Sequence, residues 1–392
     1  MFRPHKECVV RFRPTRAVIH LNHLAHNLKE LQKAMASPSA FFCPMVKANG
    51  YGHGDVEIAK CLEKNGVQHL GVGLIEEGLL LREMGVKTDL LFFGICDERG
   101  AKSVVEHKMT PVLSTWDQLK AFESIAPKGY PVHVKFDTSM HRLGFPMKDL
   151  QTLFTYFSEK SKLQAQGILT HLHSGEDAAS LAGSSFEQLR IFHEVEKIFQ
   201  PFHPASHTLN SAGFLNFLSH KGKALPHGIS PQQGVRPGLA IYGLSPISPS
   251  PVNLKPVMSL RSETVKYHFV RQGEGVSYNV TWKAPKDSVV AVVPIGYADG
   301  YHRLLSNKAE ILFRGQRVPL VGNVCMDYLM MDVTRTLKSE TAESLRPEPV
   351  TLFGEDESGH ELSAVELAQK AQTISWEILT SVGERVPREV EP

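Results

Sequence analysis

Between residues 40 and 244 short apolar runs alternate with amphipathic stretches, a rhythm that predicts repeated strand and helix units wound into a parallel sheet. Eight strands follow from it: Phe41–Lys47, His69–Leu74, Asp89–Gly94, Thr110–Ser114, Val132–Asp137, Gly167–Leu172, His207–Ser211 and Val235–Tyr242. Helical stretches between them include Asp55–Lys64, Glu76–Met84, Trp116–Ile125 and Ser185–Phe199. Units of this kind close most simply into an α/β fold of the (β/α)8 TIM-barrel type. An earlier helix, Leu24 to Met35, carries Leu24, Leu28, Leu31 and Met35 at helical spacing and precedes the barrel proper.

Beyond the Pro-rich segment Ser245–Pro256 the texture changes. β-Branched runs such as Ser288–Ile295 and Ala309–Phe313 stand between turns rich in Gly, Pro and Asn, and Ser363–Gln372 reads as one short helix. This is the pattern of a second, mostly β domain. The expected division is 12–246 for the barrel and 247–392 for the C-terminal domain, which suits a chain of 392 residues with 42% hydrophobic content.

Charge and cysteine usage narrow the function. Lys and Arg total 43 against 41 Asp and Glu, with no basic block to track a phosphate backbone, so nucleic acid is not an expected partner. The five cysteines, Cys8, Cys43, Cys61, Cys96 and Cys325, are scattered and lack C-x-x-C spacing. That argues against a disulfide framework and a zinc site, and for a reducing cytoplasm. The leading M-F-R-P-H-K-E-C-V-V-R-F-R-P lacks the apolar core of a signal peptide. No stretch approaches the ~20 apolar residues of a membrane helix, so no membrane association is expected.

The candidate chemistry begins at F-F-C-P-M-V-K-A-N-G-Y-G-H-G, Phe41 to Gly54. A lysine ending an apolar strand either snorkels to solvent or sits where desolvation makes it nucleophilic. On the strand alone, snorkelling is the better reading of Lys47. The turn that follows shifts the balance, because Gly50, Gly52 and Gly54 allow close backbone approach to a ligand while Tyr51 and His53 bring polar tips to the same edge. Lys47, Lys135, His171, Asn210 and Arg236 all fall in or just after predicted strands, four of them near the C-terminal ends that form the catalytic rim of such a barrel. Taken singly, His171 reads as a core histidine, Ser211 as a helix N-cap and Arg142 as a solvated surface arginine.

The Phe41–Gly54 stretch resembles the cofactor-lysine motif of the alanine racemase family, PLP-dependent enzymes that interconvert L- and D-alanine. Further segments agree with it in order and spacing: V-K-F-D-T-S-M-H-R-L-G-F (Val134–Phe145), G-I-L-T-H-L (Gly167–Leu172), N-S-A-G (Asn210–Gly213), V-R-P-G-L-A-I-Y-G (Val235–Gly243), G-V-S-Y-N (Gly275–Asn279), P-I-G-Y-A-D-G-Y (Pro294–Tyr301) and V-G-N-V-C-M-D (Val321–Asp327). By this resemblance Lys47 bonds pyridoxal 5'-phosphate and then acts as one of two bases, the second being Tyr278. A second base is needed on the opposite face, since a single base tends to return the proton where it came from. A tyrosine with an ordinary pKa of ~10 needs help to act as a base, and His171 and Arg236 match the residues that give it.

The resemblance also implies that Arg236 faces the cofactor's pyridine nitrogen, which favours racemisation over transamination or decarboxylation. Tyr51, Ser211 and backbone amides around Gly238 and Leu239 match phosphate ligands, with Asn210 and Trp376 on the cofactor side. Arg142, Tyr297, Met326 and Asp327 match substrate-binding positions, and Lys135 matches a lysine carbamylated in many members. In the family Tyr278, Tyr297, Met326 and Asp327 come from the partner subunit, so a homodimer with shared active sites is implied. The family commonly has tyrosine in T-I-x-Y-E, whereas this chain has T-I-S-W-E with Trp376. His173, in the loop after His171, is expected at the surface.

The implied function is an alanine racemase supplying D-alanine for peptidoglycan. The change at Trp376 leaves room for a broader racemase, acting for instance on serine. A single-barrel PLP-carrier protein is disfavoured by the appended β domain, and a decarboxylase of basic amino acids by Arg236.

Overall fold

Seven parallel strands follow one another around the first unit in chain order: His69–Val72, Asp89–Phe92, Met109–Leu113, Tyr130–Asp137, Leu163–Leu169, Ala205–Leu209 and Gly234–Val235. The short strand Phe145–Pro146 pairs with Tyr130–Asp137 off this path. The protein is described here by a computed structural model covering residues 12–35, 37–177, 183–219, 233–337, 340 and 342–391. Cys8 and the first 11 residues of the charged leading segment lie outside the described residues.

The expected first strand, Phe41–Lys47, forms no regular strand. It bridges Val235 on one side and Gly71 on the other, both in parallel. Cys43 N–H donates to Val235 O (2.9 Å), while Val46 N–H donates to Gly71 O (2.8 Å) and Gly71 N–H to Pro44 O (2.9 Å). Residues 41–46 thus join the last strand to the first and close the curled sheet. Pro44 has no N–H to give a ladder, which explains the irregularity. Val235–Tyr242 departs for the same reason: the strand stops at Val235, Pro237 follows, and Leu239–Tyr242 turns as a 3-10 helix. The other six predicted strands are present.

Helices lie between the strands as the periodicity requires. Asp97 and Thr115 cap two of them, accepting from Gly100 N–H (2.9 Å) and Gln118 N–H (3.2 Å). In Leu21–Ala34 the buried residues include Leu24, Leu28 and Leu31 of the predicted apolar stripe, while its fourth member, Met35, lies just past the helix and is half-buried. Cys43, Leu91, Val112 and Leu169 form a buried cluster of the barrel unit.

The chain divides into Leu21–Lys255 and a second unit made of the residues up to His20 with those from Pro256 onward. The sequence reading starts the barrel at residue 12, yet Arg16–His20 pairs antiparallel with Met258–Glu263 and parallel with Arg388–Glu391. The strand therefore belongs to the second unit. That unit holds a seven-stranded sheet, a three-stranded sheet of Lys266–Val270, Ser288–Val293 and Leu329–Asp332, and the two-stranded ribbon Gly275–Val276 with Trp282–Lys283. Val270, Val276, Ala284, Val290 and Val321 pack together beneath the ribbon and its neighbouring sheet. The predicted helix appears as Ala364–Ala371, capped by Ser363. A further helix, Ser375–Ser381, carries Trp376.

Candidate active site

Lys47 opens a turn in which Ala48, Asn49, Gly50 and Tyr51 all have left-handed backbones, with φ of 53°, 55°, 59° and 52°. For residues with a Cβ this costs about 1–2 kcal/mol each, so other contacts must hold the loop. Asn49 Oδ1 accepts from Asp55 N–H (3.3 Å), and Glu77 Oε1 from Ala48 N–H (2.6 Å). Lys47 is reachable by solvent but crowded by protein atoms. Its amine is held below the ordinary lysine range by desolvation and by Arg142, while Glu77 acts the other way.

The end of this loop meets a second one. The Tyr51 ring stacks on Tyr242 with centroids 4.9 Å apart, and Tyr242 Oη donates to Met45 O (2.9 Å). A Cβ built on Gly238 would lie 2.4 Å from Tyr51 Oη, so only glycine leaves room for the hydroxyl. Gly238 N–H and Ala240 N–H both donate to Ser211 Oγ, at 3.0 and 3.2 Å. Leu239 begins the 3-10 turn, where an N–H has no acceptor within its own helix. Because Ser211 Oγ accepts from both amides, its own O–H proton is left to donate, and with the Leu239 N–H and the Tyr51 phenol beside it the turn offers donors suited to the oxygens of an anion. The expected N-cap role falls on Asn210 instead of Ser211: Asn210 Oδ1 accepts from Gly213 N–H (2.9 Å) and its Nδ2 donates to Leu172 O (3.2 Å).

Arg236 is buried with neutral acceptors around it. Its guanidinium donates to Thr170 O (2.7 Å), to the carbonyl of His207, to His207 Nδ1 (2.9 Å) and to His171 Nδ1 (3.3 Å). Burial lowers its pKa to about 10. Since arginine only donates, His171 must present a bare Nδ1 and carry its proton, when neutral, on Nε2. Burial, then Arg236, Lys135, Arg142 and Lys47, hold His171 well below the usual histidine range.

Lys135 is 8% exposed on Tyr130–Asp137, and burial with Arg236, Arg142 and Lys47 brings its amine down to about 8. Arg142 is exposed in the loop that follows, whose start is shaped by Asp137 Oδ1 accepting from Ser139 and His141 N–H, each at 3.0 Å. Four cations, Lys47, Lys135, Arg142 and Arg236, therefore share one electrostatic neighbourhood around His171. His173 is exposed, as expected.

The remaining candidates lie in the second unit. Tyr278, 70% exposed, tips the Gly275–Lys283 ribbon, where Ser277, Asn279 and Val280 have positive φ. Ser277 Oγ donates to Asn323 O (2.7 Å) and Asn323 Nδ2 to Tyr278 O (2.8 Å), tying the tip to the loop that leads to Met326. Tyr297 N–H donates to Cys325 O (3.0 Å) and Ala298 N–H to Met326 O (3.1 Å), which groups Tyr297 with Met326 and Asp327. Arg385 Nη2 donates to Asp327 Oδ1 (2.7 Å). Trp376 stands at the start of Ser375–Ser381, the far end of which packs on Gly300.

Sequence reasoning missed Glu77, Tyr242 and the paired His133 and His207, whose rings meet Nδ1 to Nε2 at 2.7 Å. For His133 a signal existed. It lies two residues before Lys135 on one strand, hence on the same face. Among the described residues no group of three or more His, Cys, Asp or Glu stands where it could hold a metal ion.

A closed parallel barrel whose rim gathers a strained lysine loop and an anion-seeking turn, joined in sequence to a mostly β unit, is the fold of a PLP-dependent isomerase. Residues 19–246 match the family model described as alanine racemase, N-terminal domain, and residues 257–390 that described as alanine racemase, C-terminal domain. The alanine racemase of Sorangium cellulosum is 36% identical over 389 residues, covering 96% of this chain and 98% of that one. Among solved structures, alanine racemase from Bacillus anthracis with bound L-Ala-P superposes with a TM-score of 0.82 at 29% identity, covering 97% of this chain and 96% of that one. The enzyme from Bartonella henselae with covalently bound pyridoxal phosphate gives 0.80 at 28%, covering 96% and 99%. The chain belongs to the alanine racemase family.

Proposed function

We propose that this protein is an alanine racemase that takes PLP as cofactor and moves the α-proton of alanine between Lys47 and Tyr278. The observation that carries the proposal is the convergence of the Lys47 loop with the buried Arg236–His171 hydrogen bond (3.3 Å) and, at the end of that loop, the close approach of Tyr51 Oη to Gly238: a base, a proton relay and an anion-holding turn on one barrel unit. The loops fit the phosphate. Tyr51 Oη against Gly238, Ser211 Oγ and the amides of Gly238 and Leu239 are the groups to hold it, and Arg142 is the group for the carboxylate. When bound, PLP supplies an electron sink for the electron pair left at the α-carbon.

Each residue then has a distinct task. Lys47, its amine already below the ordinary range, accepts or returns a proton at Nζ on one face. Tyr278 does so at Oη on the other. With Nδ1 engaged by Arg236, His171 offers an Nε2 proton that stabilises a phenolate. Arg236 is a permanent cation, which keeps a proton off any ring nitrogen facing it and so limits side reactions. Lys135, carbamylated, orients Arg142, while Asn210 and Trp376 shape the cofactor side, and Tyr297, Met326 and Asp327 the substrate side.

Tyr278 comes from a second copy in this proposal, making the protein a homodimer with shared sites. Tyr278, Val280, Met326 and Tyr328 are exposed around the one ribbon and loop, as a surface meant for a partner would be. The proposed setting is the cytoplasm, feeding D-alanine to peptidoglycan. The four described cysteines are unpaired, and no helix among the described residues is long and apolar enough to cross a membrane.

The test is α-proton exchange in deuterium oxide. Tyr278→Phe is expected to keep exchanging the α-proton of one alanine enantiomer while losing conversion to the other. Normal conversion in both directions by that variant would end the two-base assignment.

A further inference from the structure

Glu77 makes three backbone hydrogen bonds, and only one belongs to the helix it sits on. Its Oε2 accepts from Leu74 N–H (3.0 Å), the ordinary contact of a third-position glutamate at the start of Ile75–Glu83. The same oxygen accepts from Gly73 N–H (2.8 Å), just past the strand His69–Val72. Oε1 reaches across to the Lys47 loop and accepts from Ala48 N–H (2.6 Å). A helix cap needs neither of these last two contacts.

The surroundings of Gly73 point the same way. A Cβ built there would lie 3.4 Å from Lys47 Cδ and 3.6 Å from Glu77 Oε2, so the lysine stem and the carboxylate flank the same glycine. Ala48, the residue whose amide Glu77 holds, is the first of the left-handed run and directly follows the lysine. Backbone hydrogen bonding already ties Val46, on the near side of Lys47, to Gly71 of that strand; the Glu77 contact is the tie on the far side, where the left-handed run begins.

We infer that Glu77 is a positioning residue for Lys47: one carboxylate ties the lysine's loop to the adjacent strand end and sets the charge under which the amine works. The inference rests on the reading of Lys47 as a base. The charged and titratable groups acting on the amine or feeling it are Arg142, Lys135, His171 and Glu77. Of these, Glu77 is the one that favours the protonated amine. Removing its charge therefore shifts Lys47 titration to lower pH.

Cofactor-free protein supplies a readout that does not depend on turnover. Lys47 is methylated with formaldehyde and cyanoborohydride across a pH series and followed by peptide mass spectrometry, and kcat against pH is measured on the PLP-loaded enzyme. Glu77→Gln is expected to make Lys47 react about threefold faster below its midpoint and to move the Lys47 limb of the kcat profile in parallel. Glu76→Gln, which removes the same charge from an exposed neighbouring position, leaves both unchanged. Glu77→Asp keeps the charge but is too short to span to Ala48, so the midpoint stays and kcat falls about tenfold. A folded Glu77→Gln with a wild-type midpoint and profile would overturn the inference. If Glu77→Gln does not fold, Glu77→Asp decides, and a wild-type kcat there would overturn it equally. Turnover surviving in Lys47→Ala would instead remove the reading of Lys47, an outcome distinct from any of these.

Discussion

Arg236 donates to Nδ1 of His207 across 2.9 Å, which fixes the imidazole as an acceptor at that nitrogen. A neutral His207 then carries its proton on Nε2 and donates it to His133 Nδ1, 2.7 Å away. Both rings must be neutral for the series to hold, and burial keeps His207 well below the usual range and His133 at about 3. With the folded pKa lowered, the unfolded chain takes up protons that the folded chain refuses, so stability present at neutral pH is lost as pH falls from about 6.5 towards 3. At pH 5 His133 alone accounts for about 2 kcal/mol. Denaturant titrations at pH 7 and pH 5 are expected to differ accordingly, and His133→Asn to remove about one proton from the dependence. An unchanged slope in that variant would mean the pair is not held neutral.

Gly238→Ala tests the anion turn. Its methyl would arrive 2.4 Å from Tyr51 Oη, forcing the phenol away from the loop. PLP is expected to bind about tenfold more weakly, roughly 1.4 kcal/mol, with the fold intact by circular dichroism. Equilibrium dialysis reads this directly, and wild-type affinity would remove Tyr51 from the cofactor site.

Lys135 supplies a chemical prediction. Its amine, brought down to about 8, becomes neutral as pH rises through that value. The free amine adds to carbon dioxide, forming an N–C bond and releasing a proton, and the anion formed is stabilised by Arg236 and Arg142. Protein equilibrated with 13C-bicarbonate is expected to show one carbamate carbon resonance that grows from pH 7 to pH 9 and is missing in Lys135→Ala. A resonance that persists in that variant would place the modification elsewhere.

Shared sites predict complementation. Mixed dimers of Lys47→Ala and Tyr278→Phe contain one site with both bases intact if each site draws Tyr278 from the other chain. Mixing the two inactive variants under conditions of subunit exchange would then restore about a quarter of wild-type activity. Sites built within one chain would give no recovery.

The sequence reading reached the barrel strands because their apolar runs are local signals, and it reached Lys47 through the glycine-rich turn that follows and the resemblance of that stretch, since the strand alone favours a snorkelling lysine. It failed at Pro44 and Pro237, where proline removes the ladder donors that the apolar pattern promises. Arg16–His20 is not among the strands read from the sequence: its partners lie at Met258–Glu263 and Arg388–Glu391, and no local pattern announces a pairing at that distance. Glu77 was hidden for the same reason. Its contact with Ala48 spans 29 residues, whereas its sequence context announces only a helix start. Conversely, Ser211 read as a cap from its residue type alone, and the structure gives that place to its neighbour Asn210.

The measurement closest to the central claim is chiral chromatography of the PLP-loaded protein incubated separately with L-alanine, L-serine, L-lysine and L-arginine. Rapid formation of D-alanine, with little product from the other three, is the expected result and makes Trp376 a tolerated variation. Preference for L-serine would keep the two bases and reassign the substrate. No racemisation of any of the four would contradict the proposal outright.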